Sequence, residues 1–156
     1  MASLNYDNIF SRFYTKVEAF DFLYEDISDE MMGEFQLSWL RSSVAYPYIR
    51  RLFSSISFDD ENCEVNYKMN YSIDDFSDEE FVTDVLAYGM IYCWLEPKVR
   101  SITNIIQTFT SSEQKFYSQS NHLSELRALL SDAELKIRSL IRDRGYIYNA
   151  YLDGGV

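Results

Sequence analysis

The stretch YSQSNHLSELRALLSDAELKIRSLIRDRG, residues 117–145, decides the fold. Leu123, Leu126, Leu129, Leu130, Ala133, Ile137, Leu140 and Ile141 recur at spacings of three, four and seven. That is one apolar stripe along an α-helix. Ser118, Ser120 and Asn121 stand where an N-cap is wanted. Arg138, Arg142 and Arg144 load the last turns, where cations suit the helix dipole, and Gly145 can end the helix in the left-handed conformation. A helix of about 25 residues is roughly 37 Å long at ~1.5 Å per residue, close to the width of a small domain. Shorter elements are expected to pack against it.

Beyond the glycine the character changes. Tyr146, Tyr148 and Tyr151 fall within six residues, Leu152 follows, and the chain runs on through Asp153 to Val156. The expected organisation is a single helical domain over 1–145 and an extended docking arm over 146–156.

The rest of the chain reads mainly as helix. Tyr6, Ile9, Phe10, Phe13 and Val17 share one face of a first helix over about 5–19, followed by Phe20, Phe22, Leu23 and an acidic turn at 24–27. Ser28 caps a second helix over about 29–44 that buries Met32, Phe35, Trp39, Leu40 and Val44. Gly33 weakens it by about 1 kcal/mol, and Pro47 disfavours helical geometry at Tyr46 and ends it. Ser77 and Glu80 form a capping box. It opens a third helix that is apolar over nearly its whole circumference, from Phe81 to Leu95, and is therefore central. Pro97 is expected to break that helix and start a fourth, with Val99, Ile102, Ile105, Ile106 and Phe109 on its buried face. Residues 110–115 read as a polar loop.

Between the second and third helices the period changes. Val65, Tyr67, Met69 and Tyr71 alternate with Glu64, Asn66, Lys68 and Asn70, and the cluster 59–62 is turn-forming. A β-hairpin over about 53–71 is the expectation, against an irregular loop. A lone hairpin is marginal in water, so it must lie on the helices or pair with a neighbouring subunit. The fold class is mainly α: a helical bundle around the long C-terminal helix, with this hairpin and an extended tail.

Charge is uneven. Residues 1–97 hold 19 acidic and 6 basic side chains, net −13; residues 98–156 hold 6 and 8, net +2; together they give the chain's −11. Such a chain does not coat nucleic acid by itself, because phosphate binding needs clustered Lys and Arg. Its dipolar charge suits end-to-end association with a partner or with a copy of itself. No stretch is apolar enough for a membrane span and no signal peptide is read, so a soluble, reducing compartment is expected. Cys63 and Cys93 form no CxxC pattern.

The search for chemistry yields no catalytic or metal-ligating set. His122 is the single histidine, and with Glu125 it supplies at most two ligands. There is no nucleophile elbow, P-loop or dinucleotide fingerprint, and the acidic runs 59–61 and 78–80 read as a turn and a helix start. The expectation is a protein that is not an enzyme and needs no cofactor. Two constellations remain. One is Arg138, Arg142 and Arg144 with Tyr146, Tyr148, Tyr151 and Leu152, read as a partner-binding arm against the plain reading of dipole-compensating arginines and a frayed tail. The other is the pair Arg50 and Arg51 amid aromatics, with Tyr67 and Tyr71, as a secondary interface.

Three stretches carry a resemblance: YIRRLFSS at 48–55, KFYSQSNHLSEL at 115–126 and LIRDRGYIYN at 140–149. With the helix order around them, the chain is similar to the head–tail connector (adaptor, or neck) proteins of tailed bacteriophages. The resemblance implies a helical bundle that assembles as a homo-oligomeric ring, commonly about twelve copies, at the neck of the virion after assembly in the host cytoplasm. It implies that the C-terminal segment docks on the portal protein, that the opposite side receives the next neck or tail protein, and that DNA passes through the channel without specific binding. A small acidic helical adaptor or regulator in a bacterial cell, or another tail-completion or baseplate component, is the alternative.

Overall fold

A computed structural model describes residues 1–17, 28–108 and 113–145, with side chains placed in those ranges except over 102–122. The fold is mainly helical with a small three-stranded antiparallel sheet. In chain order the elements are β1 (Ala2–Asn5), α1 (Tyr6–Val17), α2 (Asp29–Ala45), α3 (Pro47–Arg50), β2 (Phe53–Asp59), β3 (Glu64–Met69), α4 (Asp75–Thr108) and α5 (Glu113–Gly145).

The two long helices lie along one another, and α4 is the one that also touches α1 and α2. Its sequence explains this. Val82, Val85, Leu86, Ala87, Met90 and Leu95 are fully buried and point in several directions, as an all-round apolar helix requires. On α5, Leu126, Ala133 and Ile137 are buried, while Leu129, Leu130, Leu140 and Ile141 pack half-buried on the core. At Gly89 an added Cβ would stand 2.7 Å from Ser43 Cβ, so this glycine is what lets α2 approach α4.

The period-two stretch is a hairpin, as its alternation indicated: Val65, Tyr67 and Met69 are buried, and Glu64, Asn66 and Lys68 face outward or are half-covered. The marginal hairpin gains a third strand from its own chain. β1 pairs antiparallel with β3 over Ala2 to Asn5, which leaves β3 central in the order β1-β3-β2. Four residues with one buried side chain, Leu4, carry too little alternation to be read as a strand in advance. The sheet is fastened to the helices at its turn. Asp60 accepts from the Tyr6 hydroxyl at 2.8 Å and pairs with Arg41 of α2.

Three boundaries differ from expectation. Pro97 does not break a helix: α4 runs through it. An interior proline costs ~3 kcal/mol, and buried Trp94 and Leu95 before it, with half-buried Val99 after it, tie both flanks to the core. Ser77 is not an N-cap. It lies inside α4 and donates its own N–H to Asp74 Oδ1 at 2.8 Å, so Asp74 takes the capping role. α5 begins at Glu113, not near the serines at 118 and 120, so most of the expected polar loop is either helix or falls on 109–112, outside the described residues. Phe20, Phe22, Leu23 and the acidic turn at 24–27 also lie outside them. Ser28 caps α2 as expected, accepting from Met31 N–H. Phe35 is 39% exposed rather than buried.

Candidate partner-binding site

One end of the α4–α5 pair gathers the residues that the sequence singled out. Pro47 opens the single turn of α3 with its fixed φ. That turn swings Tyr48, Arg51 and Leu52 to the end of β3, where Met69 and Tyr71 stand. Ile141 and Arg144 arrive from the last turns of α5. Together these side chains line a depression of about 200 Å³. Its wall is apolar: Met69 is buried, and Tyr48, Leu52 and Ile141 are half-buried against the core. Arg51 and Tyr71 are exposed at its edge.

Arg144 is the organising residue. Its side chain is only 10% exposed. Nη1 donates to the Ser77 carbonyl at 2.9 Å, Nη2 pairs with Asp78, and the guanidinium lies 4.5 Å from the centre of the Phe81 ring. Asp78 also accepts from the Ser72 hydroxyl and from the Ile73 N–H, the latter at 3.0 Å. A buried charge needs this many partners, because an unpaired one is costly. Burial pulls the Arg144 guanidinium down from the usual arginine value, while the charge of Asp74 pulls it up. One donor is left over: among the described residues, Arg144 Nε is buried with no hydrogen-bond partner.

The other arginines are used differently. Arg138 binds Glu134 one turn back at 2.9 Å and lies over the Tyr48 ring at 5.8 Å. Arg142 is exposed, with Asp143 at 3.3 Å. Arg50 donates to the Phe53 carbonyl at 2.8 Å and so fixes the entry into β2. Tyr48 is pushed up to about 12, first by burial and then by the nearby Tyr92 and Glu134, with Arg138 opposing.

The structure brings together Arg51, Tyr71 and Arg144 and sets Arg138 beside them. It does not bring Tyr67 to the surface: that side chain is 3% exposed and packs edge-to-face on Phe53, so it serves the core. Arg144, expected as a surface anchor, is committed to α4. Tyr146, Tyr148, Tyr151 and Leu152 lie outside the described residues, and the side chain of His122 does as well. Tyr48 and Leu52 lie inside the 48–53 stretch that the sequence singled out around its arginines, whereas sequence reading missed Met69 and Ile141 as wall residues, and it missed Asp78. The signal for Met69 was present in the β3 alternation. Asp78 carried none, since an acidic first turn normally faces water. Beyond Tyr71, Ile73 in the link and Phe76 in the first turn of α4 are exposed, at 53% and 76%.

Such an arrangement can bind: an apolar recess takes a side chain, and cationic and phenolic groups at its edge orient it. Among the described residues no group of three His, Cys, Asp or Glu side chains could hold a metal ion, and no helix is long and apolar enough to cross a membrane. No protein-family model, curated protein or solved structure matches this chain.

Proposed function

We propose that this chain is a structural subunit of a tailed-phage neck, a ring-forming head–tail connector that joins the portal to the next neck or tail component. One observation carries the reading. Two of the three stretches that resemble connectors, 48–55 and 140–149, are far apart in sequence, yet both contribute to the wall of one depression. That depression lies where the chain leaves α5 toward the aromatic 146–156 segment, so the resemblance, the arginines and the root of the arm coincide at one end of the molecule. In this reading the arm docks on the portal, and Arg138, Arg142 and Arg51 supply exposed cations around its base. The acidic remainder of the chain repels phosphate, which suits a wall past which DNA slides without sticking.

Native mass spectrometry of the full chain, alone and mixed with the portal protein encoded near it, tests this. The expected result is a ring of about a dozen copies or a stoichiometric portal complex. A persistent monomer that ignores the portal and captures one cellular partner would replace the connector reading with that of a small adaptor.

A further inference from the structure

A face of α2, well along α4 from the recess, complements the recess in shape and in charge. We infer that this face of one copy of the chain seats Phe35 in the recess of the next copy, a head-to-tail contact that can repeat. The inference rests on the ring-forming reading and deepens it: that reading calls for self-association, and this one names the two surfaces that meet.

The first observation is the face. Met31, Phe35 and Trp39 follow at four-residue spacing and so form one row on α2. The row begins in water and ends in the core. Met31 and Phe35 are 51% and 39% exposed, and Trp39 is half-buried against Phe13 and Trp94. Phe35 stacks on Trp39 with ring centres 6.1 Å apart, so one side of its ring is supported while the residue stays open to water. Glu30 and Glu34 form the adjacent row, both exposed, and no Lys or Arg occurs between 28 and 40.

The second observation is the fit. A recess of about 200 Å³ walled by Tyr48, Leu52, Met69 and Ile141 accepts one aromatic ring; a cavity of about 150 Å³ with an apolar lining holds benzene. Arg51 is exposed at the recess edge and makes no ion pair among the described residues. An aromatic row flanked by carboxylates therefore meets an apolar hollow flanked by a cation.

Placement and net charge decide the occupant. Trp39 meets Trp94, and Arg144 of the recess meets Asp78. Asp78 and Trp94 stand sixteen residues apart on α4, about 24 Å at ~1.5 Å per residue. Phe35 thus cannot reach the recess of its own chain. Two copies that each carry −11 repel unless an acidic surface of one faces a basic surface of the other. The face with Glu30 and Glu34 is such an acidic surface, and the recess edge with Arg51 and exposed Arg138 and Arg142 is such a basic one. Two different patches joined in this way form a heterologous contact, which closes into a ring or runs on as a filament.

The test is sedimentation velocity of the full-length chain at rising concentration. The wild type is expected to grow beyond two copies, and less so in high salt. Phe35→Ser removes the plug, and Arg51→Glu spoils the socket. Each should raise the concentration needed for association by roughly tenfold or more. An equimolar mixture of the two variants decides. One intact plug then meets one intact socket, so a one-to-one complex should form and nothing larger. A mixture that stays monomeric, or that regains the wild-type size, overturns the inference. So does a wild type that stops at two copies. If the wild type grows and both variants grow like it, this contact is wrong while the ring reading stands. If the wild type stays monomeric throughout, this contact is wrong, and a portal complex in native mass spectrometry would still keep the connector reading. Should Phe35→Ser lower the thermal midpoint, Glu34→Arg, on an exposed position, takes its place in the mixture with the same expected outcomes.

Discussion

Two arginine–aspartate pairs hold this fold at opposite degrees of burial. Arg144 and Asp78 are 10% and 9% exposed, and Arg41 and Asp60 are 47% and 55% exposed. Each aspartate also takes a hydroxyl donor, Ser72 in the first case and Tyr6 in the second. The functional groups match, and the surroundings differ. In the dry pair both charges have left water and depend on each other. In the wet pair the solvent replaces whatever a partner withdraws. The difference teaches that an arginine at the end of a helix cannot be assigned to a surface or a core by its position in the sequence.

The largest expected effect comes from breaking the dry pair on one side. Arg144→Ala strands the Asp78 carboxylate and should cost ~3–5 kcal/mol in chemical denaturation. Arg142→Ala, two residues away and exposed, should stay within about 0.5 kcal/mol. Equal losses would show that the two arginines are not differently housed. Leu126→Ala supplies a yardstick from the apolar face of the same helix, at ~2–5 kcal/mol for a side chain 1% exposed. Half-buried Leu130 should lose less when truncated. Removing both charges together sharpens the comparison. Arg144→Met with Asp78→Leu should recover most of the loss seen for Arg144→Ala, because an apolar pair of similar volume carries no desolvation cost. If the double variant is as unstable as the single one, the hydrogen bonds to Ser72, Ile73 and Ser77 matter more than the charge.

Much of the fold was legible because periodicity survives any packing. The stripe on α5, the all-round apolar run of α4 and the alternation of β3 each follow from local sequence alone. What was hidden depended on distant neighbours. Pro97 reads locally as a break, yet buried Trp94 and Leu95 on one flank hold α4 through it. Strand β1 exists only because β3 offers an edge to it. The candidate site was half visible: Arg51, Tyr71 and Arg144 were chosen for charge and aromaticity, and they do meet. Their wall was visible only in part, through Tyr48 and Leu52 beside the arginines, since Met69 and Ile141 are ordinary apolar residues until the chain places them side by side. Tyr67 shows the converse error, a tyrosine taken for interface that fills the core.

Smaller effects are expected at the wet pair. Arg41→Ala should lower the denaturation midpoint only slightly, and less than Arg144→Ala by a wide margin. Its response to acid gives the finest test. The hydrogen bond from Arg41, and then that from Tyr6, hold the Asp60 carboxyl below the usual carboxylate range. A folded value below the unfolded one means that the pair stabilises the protein above about pH 4 and that this contribution fades as pH falls through the folded value. At the other limit, burial and the bond to Asp60 push Tyr6 up to about 12. The neutral phenol is therefore favoured by folding, and its contribution is full below about pH 10 and is lost as pH rises toward the folded value. Asp60→Asn should flatten the acid limb of a stability–pH curve. Salt should do likewise, because at ~1 M the screening length is about 3 Å and exposed charges no longer feel each other well. The loss caused by Arg144→Ala should barely respond to the same salt. A dry pair that weakens in salt as the wet one does would mean that water reaches Asp78, and the contrast between the two pairs would fail there.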